Sequence, residues 1–186
     1  LAQRLPHHQF QFLTTVPKHH ISASIDDFHY RRLDCDIGLM QTDGLTTDIP
    51  KTLQRLSTFL PFDSTAVQRF AAHLQRQRCV AVISDIAPLG IEVAHAAQLP
   101  SVLVENFTWD WIYRGYSVQH PRIGNYAEDL SPIFGRADLH LQCQPVCNII
   151  RGSVLTPPIS RKFQTDPVLV RDQLGLSLGA KLVLIS

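Results

Sequence analysis

Carboxylate, amide and aromatic side chains follow directly on two apolar segments of the chain. Asp85 follows the run Cys79–Ser84, and the stretch Asn106–Trp111 follows the run Pro100–Glu105. A carboxylate in such a position can accept a proton or hydrogen-bond a hydroxyl group, and an indole ring offers an apolar platform. These residue types predict a site for a ligand that carries hydroxyl groups. The candidate contacts in the second stretch are Asn106, Thr108, Trp109 and Asp110.

The same side chains also have ordinary structural roles, which the sequence leaves open. Asp85 can cap the helix predicted after it, and Asn106 and Thr108 can cap the short aromatic helix that follows them. Trp109 and Trp111 are two positions apart, so they point to different sides of a helix. One of them is expected in the core, and the other is a candidate platform for a sugar ring.

A third polar group, which contains Asp34, Asp36 and Asp43, follows a weaker apolar segment at Phe28–Leu33. It is expected at the same edge of the sheet, as a further part of the ligand site or as a solvated loop. The spacing of the first two aspartates resembles part of a calcium loop. The later ligand positions and the terminal glutamate of such a loop are missing, so no metal site is predicted.

Several common motifs are absent from the sequence. It contains no Gly-x-Gly-x-x-Gly stretch, no P-loop and no Gly-x-Ser-x-Gly elbow. Cys143 and Cys147 have the wrong spacing for a zinc knuckle, and no second pair accompanies them. No cofactor is therefore predicted, and the four cysteines are expected to be reduced in a cytoplasmic protein.

The apolar segments are short and alternate with helical patterns, which predicts an α/β fold with a Rossmann-like parallel sheet and helices on both faces. The continuously apolar runs before Asp85 and Asn106 predict strands in the middle of that sheet. The predicted strands are Gln9–Val16, Phe28–Leu33, Cys79–Ser84, Pro100–Glu105, Asp138–Gln142 and Lys181–Ser186. The predicted helices are Ile49–Leu60, Asp63–Gln77, Pro88–Gln98, Trp109–Tyr116, Asn125–Phe134 and Pro167–Leu174, with a loop at Arg151–Thr165.

Composition restricts the classes of partner. Of the 186 residues, 45% are hydrophobic and 18% are charged, which is typical of a globular domain. A net charge of +1 gives no electrostatic reason to expect nucleic acid or an anionic membrane as partner. No apolar run approaches the roughly 20 residues of a membrane span. Both ends look like cuts through regular structure, so we expect a piece of a longer protein.

Two segments carry a resemblance to a known family. They are Leu33–Asp48 and Val82–Tyr113, the latter reading VISDIAPLGIEVAHAAQLPSVLVENFTWDWIY. Both resemble the glycosyltransferase-like domain of one GT-B-type family, which also occurs in front of a sugar kinase in L-arabinokinase-like proteins. The resemblance implies one half of a GT-B fold, truncated at both ends. Residues 1–155 would be the acceptor-side domain without its first strand, and residues 156–186 a linker and the start of the missing donor-binding domain.

The resemblance also implies an activity. A hexosyltransferase of this type moves a sugar from a nucleotide-sugar donor, here bound mainly outside the chain, to a hydroxyl group of a small-molecule or glycan acceptor. The candidate residues named above would then contact that acceptor. Asp85 would be the supporting carboxylate that orients a general base, and that base would precede Leu1. The chain alone is therefore expected to be inactive. Two alternatives are a non-catalytic sugar-sensing module attached to a kinase and a GT-B sugar-nucleotide epimerase.

Overall fold

The computed structural model describes residues 4–160 and 165–183. In this part of the chain, no helix is long and apolar enough to cross a membrane. The strands are β1 (Phe10–Leu13), β2 (Phe28–Arg31), β3 (Val82–Asp85), β4 (Ser101–Glu105), β5 (Leu139–Cys143) and β6 (Val154–Thr156). The helices are α1 (Lys18–Ser22), α2 (Ile49–Phe59), α3 (Ser64–Arg76), α4 (Pro88–Ala97), α5 (Trp109–Tyr116), α6 (Pro121–Gly135) and α7 (Pro167–Gln173).

Among the described residues, all pairing between the named strands is parallel, in two separate sheets. β1 pairs with β2, and the second sheet has the order β3-β4-β5-β6. Helices pack against these strands, as the connection between parallel strands requires. The predicted Rossmann-like α/β fold is confirmed.

The helix boundaries follow from capping residues that the sequence displays. Asp48 precedes α2 and accepts a hydrogen bond from the Lys51 backbone N–H at 2.8 Å. Asp63 precedes α3 and accepts from the backbone N–H groups of Thr65 and Ala66. A side-chain oxygen that satisfies a free N–H in the first turn stabilises a helix start by about 1 kcal/mol.

Two apolar clusters form the core, and α4 contributes to both. Ile91 packs into the cluster formed with α2, β4, α5 and α6, while Leu89 and Val93 pack into the cluster formed with α3. Because α4 follows directly on β3, this double packing fixes the end of β3 against both halves of the core.

β3 differs from its expected place in the sheet. It begins at Val82 rather than Cys79, and Ile83 is 52% exposed. Within the described residues no strand pairs with β3 on the side away from β4, so a continuously apolar run lies at a sheet edge. The prediction of a central strand was wrong for β3 but right for β4, whose Leu103 is fully buried.

Other boundaries also differ from the predicted ones. The predicted loop 151–165 contains β6, a three-residue strand too short to show a pattern, and α6 begins at Pro121 rather than Asn125. Helix α1 was not predicted. Lys181–Val183 of the last predicted strand are not in a strand, and the remainder of that prediction lies outside the described residues. The division at residue 155 stays a prediction.

Candidate functional site

The loop after β2 and the start of α5 are joined by Asp36 and Trp109. The indole N–H of Trp109 donates a 2.9 Å hydrogen bond to Asp36 Oδ2. The same ring lies against Gly38 and stacks at 6.1 Å on Tyr113, whose hydroxyl donates to the Gly38 carbonyl at 2.8 Å. Trp109 is thus enclosed on several sides. It holds the loop in place more than it offers a free platform.

Asp85 ends β3 beside this loop. The Leu89 backbone N–H, in the first turn of α4, donates to the Cys35 carbonyl at 3.3 Å and keeps the two loops together. Burial raises the pKa of Asp36; the Trp109 hydrogen bond opposes that shift, and the negative charges of Asp85 and Asp34 add to it. Partial desolvation also raises the pKa of Asp85, although much of its side chain is exposed to solvent. The two carboxylates are therefore close enough to repel each other.

Cys35 lies between Asp34 and Asp36 in the sequence but is not a nucleophile. Its thiol donates to the Leu13 carbonyl at 3.1 Å. Burial, with the charges of Asp36 and Asp34, raises the pKa of the thiol to about 12. A thiol in this state stays protonated at neutral pH, and the reactive form is the thiolate.

Asp34 and Asp43 have partners within the chain, and their role in binding a ligand stays a prediction. Asp34 forms a 2.8 Å ion pair with Arg55, and both side chains are about half exposed. Asp43 accepts from the backbone N–H groups of Leu45 and Thr46, and these bonds lower its pKa. Among the described residues, no group of three or more His, Cys, Asp or Glu could hold a metal ion.

Thr108 and Asp110 lie elsewhere, in the wall of a cavity of about 450 Å³. Asp110 is 6% exposed and pairs with Arg114 at 3.0 Å, while Thr108 is 8% exposed. Asn106 meets the loop after β5, because its carbonyl accepts from the Cys147 N–H at 2.8 Å. Five of the predicted residues thus separate into an edge group, formed by Asp36, Asp85 and Trp109, and a cavity group, formed by Thr108 and Asp110.

No side-chain cap is formed at the start of α4 or α5. The residue that caps α4 is Ala87, without a side-chain bond, so Asp85 is not a cap. Thr108 occupies the cap position of α5, but its side chain makes no capping hydrogen bond. Within the described residues, the Asp85 carboxylate has no hydrogen-bond partner and is available to a ligand.

A curated relative matches this chain over nearly the full length of the chain. The aligned region of 195 residues is 26% identical and covers 96% of this chain. The chain is similar to L-arabinokinase from Arabidopsis thaliana. The chain spans 18% of the length of L-arabinokinase, so that name describes a much longer molecule. No family model matches the sequence. No solved structure matches it either.

The cavity also contains residues that sequence reasoning missed. They are Trp111, Arg114, His140 and Arg151. Trp111 is 40% exposed, and its offset from Trp109 indicated that one of the two tryptophans should be exposed. No signal along the sequence pointed to Arg114, His140 and Arg151, because α5, β5 and the loop 148–153 meet only in the folded chain.

Proposed function

We propose that this chain is a sugar-binding module of a longer protein that resembles L-arabinokinase, with the acceptor-side architecture of a GT-B protein. The observation that carries the proposal is the convergence of Asp36 and Asp85 at the carboxyl ends of β2 and β3. In open parallel sheets, ligands bind at that edge. The similarity to a protein named for a sugar supports the choice of ligand.

The chemistry of the edge group fits a ligand rich in hydroxyl groups. Ionised carboxylates are acceptors only, and each can take several donors. Asp36 already accepts from Trp109, whereas Asp85 has all its acceptor positions free among the described residues. Burial makes the charged forms costly, and donated hydroxyl hydrogen bonds offset that cost.

A calorimetric titration of the 186-residue chain tests this proposal. The ligands are L-arabinose, D-galactose and D-glucose, and the variants are Asp85→Asn and Asp36→Asn. Asp43→Asn is the matched control, because it makes the same charge change in an exposed turn. We expect one sugar to bind and each edge substitution to weaken binding at least tenfold. Equal affinity in all variants would overturn the proposal.

A second candidate function, sugar transfer from a nucleotide sugar, is favoured by one observation. Asp85 is a free carboxylate at the end of β3, where it can orient a general base supplied by another part of a longer protein. We expect the longer protein to release nucleoside diphosphate from a nucleotide sugar in the presence of an acceptor. The 186-residue chain alone should give no turnover, and Asp85→Asn should lower the rate of the longer protein at least a hundredfold. Turnover by the chain alone would refute this assignment.

A further inference from the structure

A polar cavity of about 450 Å³ lies between α5, the end of α6, the start of β5 and the loop 148–153. Its volume is in the range of small-molecule sites, which is about 300–1,000 Å³. The side chains that line it include an indole ring, a carboxylate and two guanidinium groups. These four side chains are Trp111, Asp110, Arg114 and Arg151. The cavity contains none of the edge group.

One wall of the cavity comes from successive turns of α5. Asp110 is 6% exposed, and its Oδ2 pairs with Arg114 one turn later at 3.0 Å. Its second oxygen, Oδ1, is buried without a hydrogen-bond partner. A carboxylate with one oxygen unpaired retains capacity for one further donor, and leaving that capacity unused in a buried place is costly. Trp111 presents its half-exposed ring beside this pair.

The opposite wall is a loop that one buried amide holds in shape. Gln142 is fully buried on β5; its Nε2 donates to the Asn148 carbonyl, and its Oε1 accepts from the Ile150 N–H and the Ser153 hydroxyl. Three contacts to one side chain fix both ends of the loop. The backbone that carries Arg151 is therefore held in place between them, and its side chain is exposed.

Two acidic and two basic side chains line the cavity, so their formal charges balance, but their partners differ. Arg114 is paired with Asp110, and Asp138 accepts from the backbone N–H and the hydroxyl of Ser101, each at 2.8 Å. Arg151 has no ion-pair partner among the described residues, so its guanidinium donors are left for a ligand. Burial lowers the pKa of His140, which keeps that ring neutral at pH 7.

We infer that this cavity binds a monosaccharide that carries one phosphate group. The sugar ring would lie on Trp111, a ring hydroxyl would donate to Asp110, and Arg151 would bind the phosphate. Guanidinium groups match the oxygens of a phosphate in two parallel hydrogen bonds, and a sugar hydroxyl supplies the missing donor. The inference concerns a site separate from Asp36 and Asp85, and it does not rest on their binding a sugar.

Titration calorimetry on the 186-residue chain tests the inference with five ligands. They are glucose 1-phosphate, ribose 5-phosphate, glucose, glucuronate and inorganic phosphate. We expect at least one sugar phosphate to bind ten times more tightly than glucose, glucuronate or inorganic phosphate. Arg151→Gln should weaken that binding at least tenfold, and Trp111→Leu at least threefold.

Two matched controls separate this site from other effects. Arg122→Gln removes the same charge from an exposed position on α6 and should leave the affinity unchanged. Asp85→Asn should also leave it unchanged, even if that variant abolishes sugar binding at the edge group. The inference is overturned if inorganic phosphate binds as tightly as the sugar phosphates, if none of them binds, or if Arg151→Gln and Arg122→Gln have equal effects.

Discussion

Trp109 donates a hydrogen bond of 2.9 Å to Asp36, across 73 positions of sequence. The bond ties the first residue of α5 to the loop that follows β2. It also places an acidic side chain beside Asp85, at the carboxyl end of β3. One indole N–H therefore connects the two segments in which the sequence resembles a GT-B-type family.

Replacing Trp109 by phenylalanine keeps an aromatic ring but removes the donor. A hydrogen bond to a charged group contributes roughly 1.5–3 kcal/mol, so we expect a loss of about 2 kcal/mol in the free energy of unfolding. Urea denaturation measures it. Trp111→Phe is the control, because Trp111 is 40% exposed and has no such bond among the described residues; its effect should stay below about 0.5 kcal/mol. Equal losses would mean that the bond contributes nothing.

Gly38 is held in a conformation that other residues rarely adopt. Its φ is +66°, and a Cβ atom there would lie 3.2 Å from two carbons of Trp109. We expect Gly38→Ala to destabilise the fold by about 1–2 kcal/mol, from backbone strain together with displacement of the ring. Gly44→Ala is the control, since a Cβ at that position meets nothing within 4 Å. Thermal unfolding of both variants measures the difference, and a stable Gly38→Ala protein would contradict the enclosed placement of Trp109.

The raised pKa of Asp36 predicts how stability depends on pH. Because its folded-state pKa lies above the unfolded value, the folded chain binds more protons between the two values, and stability falls as pH rises through that window. Asparagine at position 36 can still accept from Trp109. We therefore expect Asp36→Asn to be more stable than the original chain at pH 7, and the gain to vanish as pH falls toward about 4.

Asp43 supplies a control of opposite sign for the same measurement. Backbone hydrogen bonds from Leu45 and Thr46 lower its pKa, so its charged form stabilises the folded state at neutral pH. Asp43→Asn should be the less stable protein at pH 7, and its deficit should shrink as pH falls through the folded-state pKa. Chemical denaturation from about pH 2 to pH 8 covers both windows, because that of Asp43 lies below about pH 4. If the free energies of unfolding of the two variants changed with pH in the same way, burial would not explain the raised pKa of Asp36.

The sequence revealed those elements whose signals are local. The predicted helices at Ile49 and Asp63 begin within one residue of α2 and α3, at the caps Asp48 and Asp63, and the bounds of α5 were predicted correctly. The apolar pattern of β3 alone predicted a central strand, whereas its exposure depends on whether a neighbouring strand is present and not on the residues of the strand itself. The cavity could not be predicted either, since Trp111 and Arg151 are distant in sequence and meet through the register of β4, β5 and β6.

Gln142 should matter more than an uncharged residue usually does. Replacing it by leucine removes its bonds to Asn148, Ile150 and Ser153, and it leaves the buried carboxylate of Glu105 without its 2.9 Å donor. We expect a loss of about 3 kcal/mol or more, because buried polar groups are left unpaired. Gln119→Leu, at an exposed position, is the control. Urea denaturation compares them, and a loss below about 1 kcal/mol for Gln142→Leu would mean that the loop is held by other contacts.

The free edge of β3 should cause the 186-residue chain to associate with itself. The backbone N–H groups of Val82 and Ile86 donate to carbonyls on the β4 side, those of Pro100 and Val104. Because backbone groups alternate in direction along a strand, the N–H and C=O of Ile83 face away from β4. Unpaired strand edges with exposed apolar side chains pair with other chains, and a charge on the edge prevents this. We expect sedimentation equilibrium to show association that rises with protein concentration and that Ile83→Lys reduces at least fivefold. Leu45→Lys adds the same charge at a loop residue that is 97% exposed. If it reduces association equally, net repulsion and not the β3 edge controls the process.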